Sequence, residues 1–535
     1  MQLLAAGLVS AALLSDHLVS GEGSSTEEKP AALQNYVHLS FDKLRGNSYE
    51  SASKGGKPSA RLRKRANGYE EIEIINQQNF YSVELEIGTP SQNVTVLLDT
   101  GSSDLWVSGP DNPYCKPVSG TGDDFSPFSW ITRSTLVSGT PTATASGSSG
   151  IATMDCSEFG TFNSSRSSTF RSNNTAFQIS YGDQTFASGT WGTDTLNLGD
   201  TNVTSFSFAV ANSSNSTVGV FGIGLPGLES TYTGATASSG SSYQYQNFPM
   251  KLKAQGTIEH VAYSLFLNEP DAPSGSILFG AVDHSKYSGQ LYTIPLLNPY
   301  QSRGVQNPIE FDVTVQGVGI SQSGSTKTIT TTKFPALLDS GTTLTYMPYQ
   351  LTELIAARIG ARYSSSLGFY VMPCPSNNDN TQLLYDFGGF QISANLSNYI
   401  LGSSGSSDVC YLGIIPLSDS SAIFGDNFLI NAYVVYDLEN YEVSMAQAQF
   451  NATKSQIEVI SGSVPGAVKA PSYSATWSTV QSISSGGGAF TSGAAGSTST
   501  GTSTTSKTSQ QKAAGDRLAP TSFFVLVAWA FSFLV

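Results

Sequence analysis

The sequence predicts a mainly β protein with two homologous lobes, and three observations carry this prediction. The chain has 535 residues, which is too long for a single hydrophobic core. Between residues 71 and 455, apolar or alternating runs of strand length are bounded by Gly, Asn and Ser turns, and the clearest amphipathic helix is Tyr349 to Gly360. A short motif centred on an aspartate occurs twice in similar surroundings, which indicates duplication.

The composition excludes some classes of protein. Charged residues make up 12% of the chain and aromatic residues 11%, which is typical of a globular rather than a disordered protein. The formal net charge of −14 repels nucleic acid, so we predict no nucleic-acid partner. Such a surface suits an acidic medium, in which many carboxylates are protonated.

The N-terminal region is predicted to be removed during secretion. An apolar stretch from Leu3 to Leu14 is typical of a signal peptide, here assigned to residues 1–20. Residues 21–65 are polar and end on the dibasic pair Lys64 and Arg65, just before the sequence becomes strand-like. We interpret this pair as a propeptide cleavage site; a solvated charge run is the alternative.

The C-terminal region is predicted to be a stalk followed by a lipid-anchor signal. Residues 458–514 are rich in Ser and Thr and read as an extended stalk. Small residues at Ala513, Ala514 and Gly515 precede a polar spacer and a terminal apolar run, which together indicate a GPI-attachment signal over residues 515–535. The apolar run is shorter than the ~20 residues that span a bilayer, so a tail anchor is the weaker alternative.

The cysteines and sequons fit a secreted glycoprotein. Four cysteines allow three disulfide connectivities, of which sequential pairing is the simplest. The segment 119–150 reads as a long surface loop between the first two cysteines. The cysteines are Cys115, Cys156, Cys374 and Cys410, and the predicted glycosylation sites are Asn93, Asn163, Asn173, Asn202, Asn212, Asn215, Asn395 and Asn451.

The repeated motif reads VLLDTGSSDLWV from residue 96 and ALLDSGTTLTYM from residue 336. Burying a carboxylate at the end of an apolar strand costs free energy unless the group is paired or has a function. Two such groups, Asp99 and Asp339, indicate that each lobe contributes one carboxylate to a shared site. The glycines Gly101 and Gly341 permit tight turns, and the hydroxyl residues beside them can donate hydrogen bonds to the carboxylates.

Two carboxylates held close together cannot both be ionised, so they share a proton. One can then act as a base on a bound water while the other acts as an acid toward a peptide carbonyl. This chemistry needs no cofactor, no metal and no covalent nucleophile. A serine hydrolase would need a histidine base, but beyond residue 65 the only histidines are His260 and His284, and no nucleophile elbow surrounds a serine.

From Tyr81 to Ala448 the chain resembles the pepsin-like aspartic proteases, and within them the fungal, GPI-anchored yapsin-like enzymes. The resemblance implies a bilobal fold with a cleft between the lobes, and an endopeptidase that acts on peptides or proteins. We expect a monomer, with an N-terminal catalytic lobe at 66–262 and a C-terminal one at 263–457. A catalytically weak wall-binding or adhesion protein on the same scaffold is the alternative.

The resemblance also assigns roles to individual residues. Asp99 and Asp339 match the catalytic pair, and both active-site turns match the residues that support it. The segment SYGD matches the tip of the flap that folds over the substrate, and the indole of Trp106 matches the group that the hydroxyl of Tyr181 contacts. The next residue, Gln184, stands where the family more often has a glycine. The supporting residues are Thr100, Gly101, Ser102, Ser340, Gly341 and Thr342, and the flap and substrate-binding residues are Tyr181, Gly182, Asp183 and Trp106.

Further landmarks follow from the same resemblance. Gly222 and Gly425 match the apolar-apolar-Gly segments that follow each active-site loop, and Cys374–Cys410 matches the disulfide of the C-terminal lobe. The long segment between Cys115 and Cys156 is similar to the yapsin insertion. Yapsin-like enzymes prefer basic residues, and we hypothesise that the flap-tip Asp183 pairs with a substrate ammonium or guanidinium.

Overall fold

A computed structural model describes most of the chain between residues 35 and 490. The described ranges are 35–46, 61–64, 70–73, 78–115, 156–182, 185–198, 201–233, 242–365, 368–376, 378–403, 409–418, 421–452, 454–477, 482–487 and 490. Predictions for the signal peptide, Arg65, the 119–150 loop, Asp183, Gln184 and the GPI signal therefore lie outside the described residues.

The fold is mainly β, as predicted. The strands up to residue 222 are β1 Val37–Gly46, β2 Arg61–Lys64, β3 Glu70–Glu73, β4 Gln78–Ile87, β5 Gln92–Asp99, β6 Leu105–Ser108, β7 Arg171–Ser180, β8 Phe186–Leu198, β9 Thr201–Ser214 and β10 Gly219–Gly222. Those from 262 to 348 are β11 Ala262–Phe266, β12 Ser274–Phe279, β13 Ala281–Asp283, β14 Tyr287–Pro295, β15 Asp312–Val315, β16 Gly317–Gln322, β17 Ser325–Thr330, β18 Phe334–Leu338 and β19 Thr345–Pro348. The remainder are β20 Arg362–Ser364, β21 Phe369–Pro373, β22 Gln382–Asp386, β23 Gln391–Asn395, β24 Ile400–Ser403, β25 Val409–Leu412, β26 Ile414–Leu417, β27 Ala422–Phe424, β28 Ala432–Asp437, β29 Glu442–Ala448, β30 Ile457–Val459 and β31 Ala467–Lys469.

Helices are short in the described ranges. They are α1 Ser230–Thr233, α2 Phe248–Ala254, α3 Tyr349–Ile359 and α4 Asp426–Leu429. The helix predicted at Tyr349 is confirmed as α3; it buries Leu351 and Ile355 on one face, and Gly360 ends it in the left-handed conformation (φ 75°) that glycine adopts without strain. Of the helices described, none has the length and apolar character needed to cross a membrane.

One 14-stranded sheet runs through the molecule in the order β31-β14-β29-β28-β11-β12-β1-β4-β5-β10-β6-β9-β8-β7. Its central strand β1 pairs antiparallel with both β12 and β4, and it belongs to the predicted propeptide. Phe41 on β1 is 1% exposed and packs edge-on against Tyr81. A segment predicted to be removed thus forms part of the core sheet. The predicted lobe boundary between residues 262 and 263 falls within β11 of the same sheet, and it stays a prediction.

The surroundings of the two motifs are related by topology. Near the first motif, β10 lies between β5, to which it is parallel, and β6, to which it is antiparallel. Near the second, β27 lies in the same way between parallel β18 and antiparallel β19, within a five-stranded sheet. This repeated three-strand arrangement is the structural form of the duplication seen in sequence, and it agrees with a bilobal fold.

The folded body extends past residue 458, where the sequence predicts that a stalk begins. β30 pairs with β13 and β31 pairs with β14, so the chain beyond residue 458 is still part of the folded body. Ile460 is fully buried, and Phe490 is 6% exposed, packed over Gly319. The predicted boundary at residue 458 is wrong because it was drawn from the average composition of the segment, which Ser and Gly dominate. The few apolar side chains that pack this segment against the core have little effect on that average.

Candidate active site

Asp99 lies at the end of β5, where an apolar strand leaves the core. β5 runs parallel to β10, with Asp99 paired to Gly222, and the backbone carbonyl of Asp99 accepts a hydrogen bond from Ile223. Asp339 directly follows β18, and its backbone N–H donates to Phe424 of β27. Each aspartate is therefore held at the carboxyl end of a buried strand by a parallel neighbour.

The two carboxyl groups receive matching hydrogen bonds. Gly101 N–H donates to Asp99 Oδ1 at 2.7 Å, and Ser102 Oγ donates to Asp99 Oδ2 at 2.5 Å. On the other side, Gly341 N–H donates to Asp339 Oδ1 at 2.8 Å. Thr342 Oγ1 donates to Asp339 Oδ2 at 2.5 Å. The residues predicted from sequence to support the pair are in contact with it.

Thr100 and Ser340 join the two turns beneath the carboxyl groups. Thr100 Oγ1 donates to the carbonyl of Leu338 (3.1 Å) and accepts from the backbone N–H of Ser340 (2.9 Å). Ser340 Oγ in return accepts from the N–H of Thr100 (3.2 Å) and donates to the carbonyl of Leu98 (3.4 Å). These four buried bonds cross from one motif to the other and fix their relative position.

Glycine is required where the two turns approach each other. A Cβ atom on Gly101 would collide with the carboxyl group of Asp339, and one on Gly341 would collide with that of Asp99. Each glycine therefore lies against the carboxyl group of the opposite turn. The close approach of the motifs depends on the absence of these two side chains.

The electrostatics of the pair favour a shared proton. Asp99 is 7% and Asp339 8% exposed, and a side-chain hydrogen bond joins the two carboxyl groups. Burial raises the pKa of both groups, and the charge of Asp339 raises the pKa of Asp99 further. Hydrogen bonds from the neighbouring hydroxyls partly oppose these shifts. The arrangement can hold one carboxylate and one carboxylic acid side by side.

Two of the predicted flap and substrate-binding residues, Trp106 of β6 and Tyr181, are joined by a hydrogen bond. Trp106, which is fully buried, donates its indole N–H to the hydroxyl of Tyr181 at 2.8 Å. Tyr181 directly follows the flap strand β7, and its N–H donates to the carbonyl of Thr185, so the two sides of the flap are joined near their tip. Gly182 is exposed at the turn. The predicted pairing of Trp106 with the flap tyrosine is present in the structure.

Acidic groups near both motifs were missed from sequence; among them Asp104, Glu229 and Asp312 are buried and Glu310 is half-buried. Asp104 and Glu229 lie together on the Asp99 side, where both contact Tyr245. On the Asp339 side, Glu310 accepts a hydrogen bond from Tyr300, and Asp312 pairs with Leu337 on β18, next to Asp339. Only Asp104 carried a signal, since it lies within the first motif; the others are brought in by distant parts of the chain.

The disulfide prediction is confirmed. Cys115 bonds to Cys156 and Cys374 to Cys410, with Cα–Cα distances of 5.2 and 4.8 Å. The histidines have no role in a nucleophilic site. His260 contacts Asp437 and Glu439, and His284 contacts Tyr287 and Glu458.

Comparison with known proteins shows the family. Residues 80–448 match the family model described as eukaryotic aspartyl protease. Aspartic proteinase 3 of Saccharomyces cerevisiae is 54% identical over 93% of this chain and 94% of its own length. Aspartic proteinase MKC7 of the same yeast is 53% identical over 86% of this chain and 81% of its own. Yeast aspartic proteinase yapsin-3 is 49% identical over 85% and 81%.

The chain therefore belongs to the eukaryotic, pepsin-like aspartyl proteases. Within that family the predicted resemblance to fungal yapsin-like enzymes is confirmed. It is an aspartic-type endopeptidase, and its substrates are peptides or proteins. This membership disfavours the alternative of a binding protein without activity.

Proposed function

We propose that Asp99 and Asp339 are the catalytic pair of an acid-pH endopeptidase that prefers basic residues at the cleavage site. The assignment of the catalytic pair is supported by the matched hydrogen bonds of two buried carboxyl groups that contact each other. Ser102 and Thr342 each donate to the Oδ2 atom of one carboxyl group, and the N–H groups of Gly101 and Gly341 donate to the two Oδ1 atoms.

In the proposed reaction the ionised carboxylate removes a proton from a water that attacks the scissile carbonyl carbon. The protonated partner donates to the carbonyl oxygen, which gives a tetrahedral intermediate. Collapse of this intermediate breaks the C–N bond and transfers a proton to the leaving nitrogen. Because the cycle needs one proton on the pair, activity falls when pH rises enough to ionise both groups, and also when acid protonates both.

Selectivity for basic residues is assigned to Asp183. This residue follows the flap residue Tyr181 by two positions, and the hydroxyl of Tyr181 is bonded to the indole N–H of Trp106. A carboxylate shielded from water at a flap tip attracts a cation by a few kcal/mol at an effective dielectric constant of about 20, before desolvation is subtracted. That is enough for a preference of about tenfold.

Asp183→Ala is expected to lose about tenfold in kcat/KM on a peptide with Lys before the scissile bond, and little on matched Leu and Phe peptides. Asp183→Asn keeps the shape without the charge and should behave the same way. Hydrolysis is measured at about pH 4, with a transition-state mimic of the peptide bond as inhibitor. An equal fall on all three peptides would show that Asp183 only shapes the flap, while inhibition by the mimic would still support the catalytic pair.

We further propose that the protein is a secreted, glycosylated zymogen held at the cell surface by a GPI anchor. Lys64 ends β2, at the predicted cleavage site, and β1 lies upstream of it in the core sheet. Seven of the eight sequon asparagines are exposed and accessible to glycosylation, whereas Asn163 is half-buried and caps a short helix by accepting from Ser165 N–H.

Deleting Phe523 to Val535 is expected to move the enzyme from the cell surface into the medium with unchanged kcat/KM. The deletion leaves the folded body intact, because the last described contact of that body is at Phe490. Activity in cell-wall, membrane and medium fractions is compared, and phospholipase cleavage of GPI anchors is applied to wild type as a control. Retention of the deleted form at the surface would exclude the anchor.

A further inference from the structure

A second pair of buried carboxyl groups lies beside the flap. Asp104 is 1% and Glu229 0% exposed. Asp104 accepts hydrogen bonds from the hydroxyl of Tyr245 (2.7 Å) and the N–H of Ser230 (2.9 Å). Glu229 Oε2 accepts from the N–H of Tyr245 (2.9 Å). One tyrosine therefore bridges both acids, through its side chain to one and its backbone to the other.

This pair is buried without a compensating cation. Among the described residues, no Lys, Arg or His side chain forms an ion pair with Asp104 or Glu229, and Glu229 Oε1 has no hydrogen-bond partner. Among the described residues, Tyr245 is the titratable group that contacts both acids, and Tyr243 in turn interacts with Tyr245. In the sequence, residues 234–241 contain no charged side chain. Burial raises the pKa of Glu229 to about 9, the charge of Asp104 adds to this, and burial also raises the pKa of Asp104.

The same residues contact the Asp99 loop and the cluster of side chains that includes the flap residue Tyr181. The ring of Tyr245 packs against Trp191 with centroids 5.1 Å apart, in a cluster that also contains Trp106 and the flap residue Tyr181. The hydroxyl of Tyr245 also donates to the carbonyl of Ser103 at 3.4 Å. Ser103 adjoins the serine that donates to Asp99. Tyr245 thus links the acid pair to the Asp99 loop and to the base of the flap.

We propose that Asp104, Glu229 and Tyr245 form a proton-dependent clamp, which positions the Asp99 loop and the flap while Glu229 is protonated and loosens as pH rises past neutral. The clamp touches neither substrate nor the reacting atoms, so its members are positioning residues. It acts on the stability of the fold, and its effect is separate from the ionisation of the catalytic pair.

The direction of the pH dependence follows from proton linkage. Glu229 binds its proton more tightly in the folded than in the unfolded protein, where its pKa is near the ordinary value of 4.5. Stability from this group is greatest below that value and is lost as pH rises toward the folded value of about 9. Over that interval the ratio of folded to unfolded protein falls by up to about tenfold per pH unit.

Glu229→Gln tests the clamp, because the neutral amide imitates the protonated acid and keeps an acceptor for Tyr245 N–H. Thermal unfolding of the purified protein is followed by tryptophan fluorescence at about pH 4 and pH 7.5, without substrate. We expect equal melting temperatures at the lower pH and a higher one for the variant at the upper pH. At the upper pH the variant should also keep its activity about tenfold longer, when assayed after return to acid. Asp111→Asn, at an exposed carboxylate, should behave as wild type.

The same pH dependence in wild type and Glu229→Gln would overturn the proposal. Should that variant not fold, Asp104→Asn removes the repulsion from the other side and should change the pH dependence in the same direction but by less, because burial rather than the charge of Asp104 is the main cause of the raised pKa of Glu229. A wild-type melting temperature that is constant from about pH 4 to 7.5 would overturn it without any variant. Since unfolding is measured without substrate, these results do not depend on the assignment of the catalytic pair.

Discussion

Asp99→Asn and Asp339→Asn are each expected to lower kcat by about 10³-fold, with the fold intact. An amide cannot exchange the proton that the two carboxyl groups share, while it fills the same volume and can still accept from Ser102 or Thr342. The measurement is turnover of a peptide at acid pH by variants expressed in already mature form. Melting temperature and circular dichroism confirm that the protein is folded.

The control for this pair is Asp111→Asn, which removes an exposed carboxylate and should leave turnover unchanged. Since burial raises the pKa of both carboxyl groups of the proposed catalytic pair, wild-type activity should extend to higher pH than the ordinary aspartate range allows. Turnover near that of wild type in either variant would show that the site does not work through a shared proton.

Gly101→Ala and Gly341→Ala are expected to lower activity by about 10²-fold or more, because a misplacement of about 1 Å in a catalytic site has effects of this size. The added Cβ would collide with the carboxyl group of the opposite turn and force the two motifs apart. This would disturb the four bonds between Thr100, Ser340 and their partners. The measurement is kcat/KM together with the melting temperature.

Gly304→Ala is the matched control for these variants. Gly304 has a positive φ of 88° and nothing near its Cβ position, so alanine there costs about 1 kcal/mol in backbone strain without touching the site. It should lower the melting temperature slightly and leave kcat/KM unchanged. If Gly101→Ala were as active as this control, the close approach of the two turns would not be needed for catalysis.

Much of the site could be predicted because its residues are neighbours in sequence. Each aspartate, its glycine and its outer hydroxyl lie within four positions, so the local turn alone brings them together. The single helix prediction at Tyr349 to Gly360 succeeded for a similar reason, since an amphipathic period and a terminal glycine are local signals. The two disulfides followed the simplest sequential pairing.

Three features depended on contacts between distant positions. β1 enters the core sheet between β4 and β12, although its sequence reads as a removable segment. Ile460 and Phe490 are buried and pack against the folded body, although they belong to the segment 458–514 whose composition predicts a stalk. Glu229 is buried beside Asp104 although the two residues are 125 positions apart in sequence, and nothing around Glu229 in sequence marks it as buried.

The sequence by itself determined the chemistry of this protein, since a duplicated Asp-Thr/Ser-Gly turn after an apolar strand admits few functions besides a shared-proton pair. Only the tertiary structure decided how far apart the carboxyl groups lie, which strands hold them and which other acids share their low-dielectric surroundings. The physical reason is that turn geometry is set by neighbours along the chain, whereas burial and the pKa shifts it causes are set by whatever the fold packs against a group.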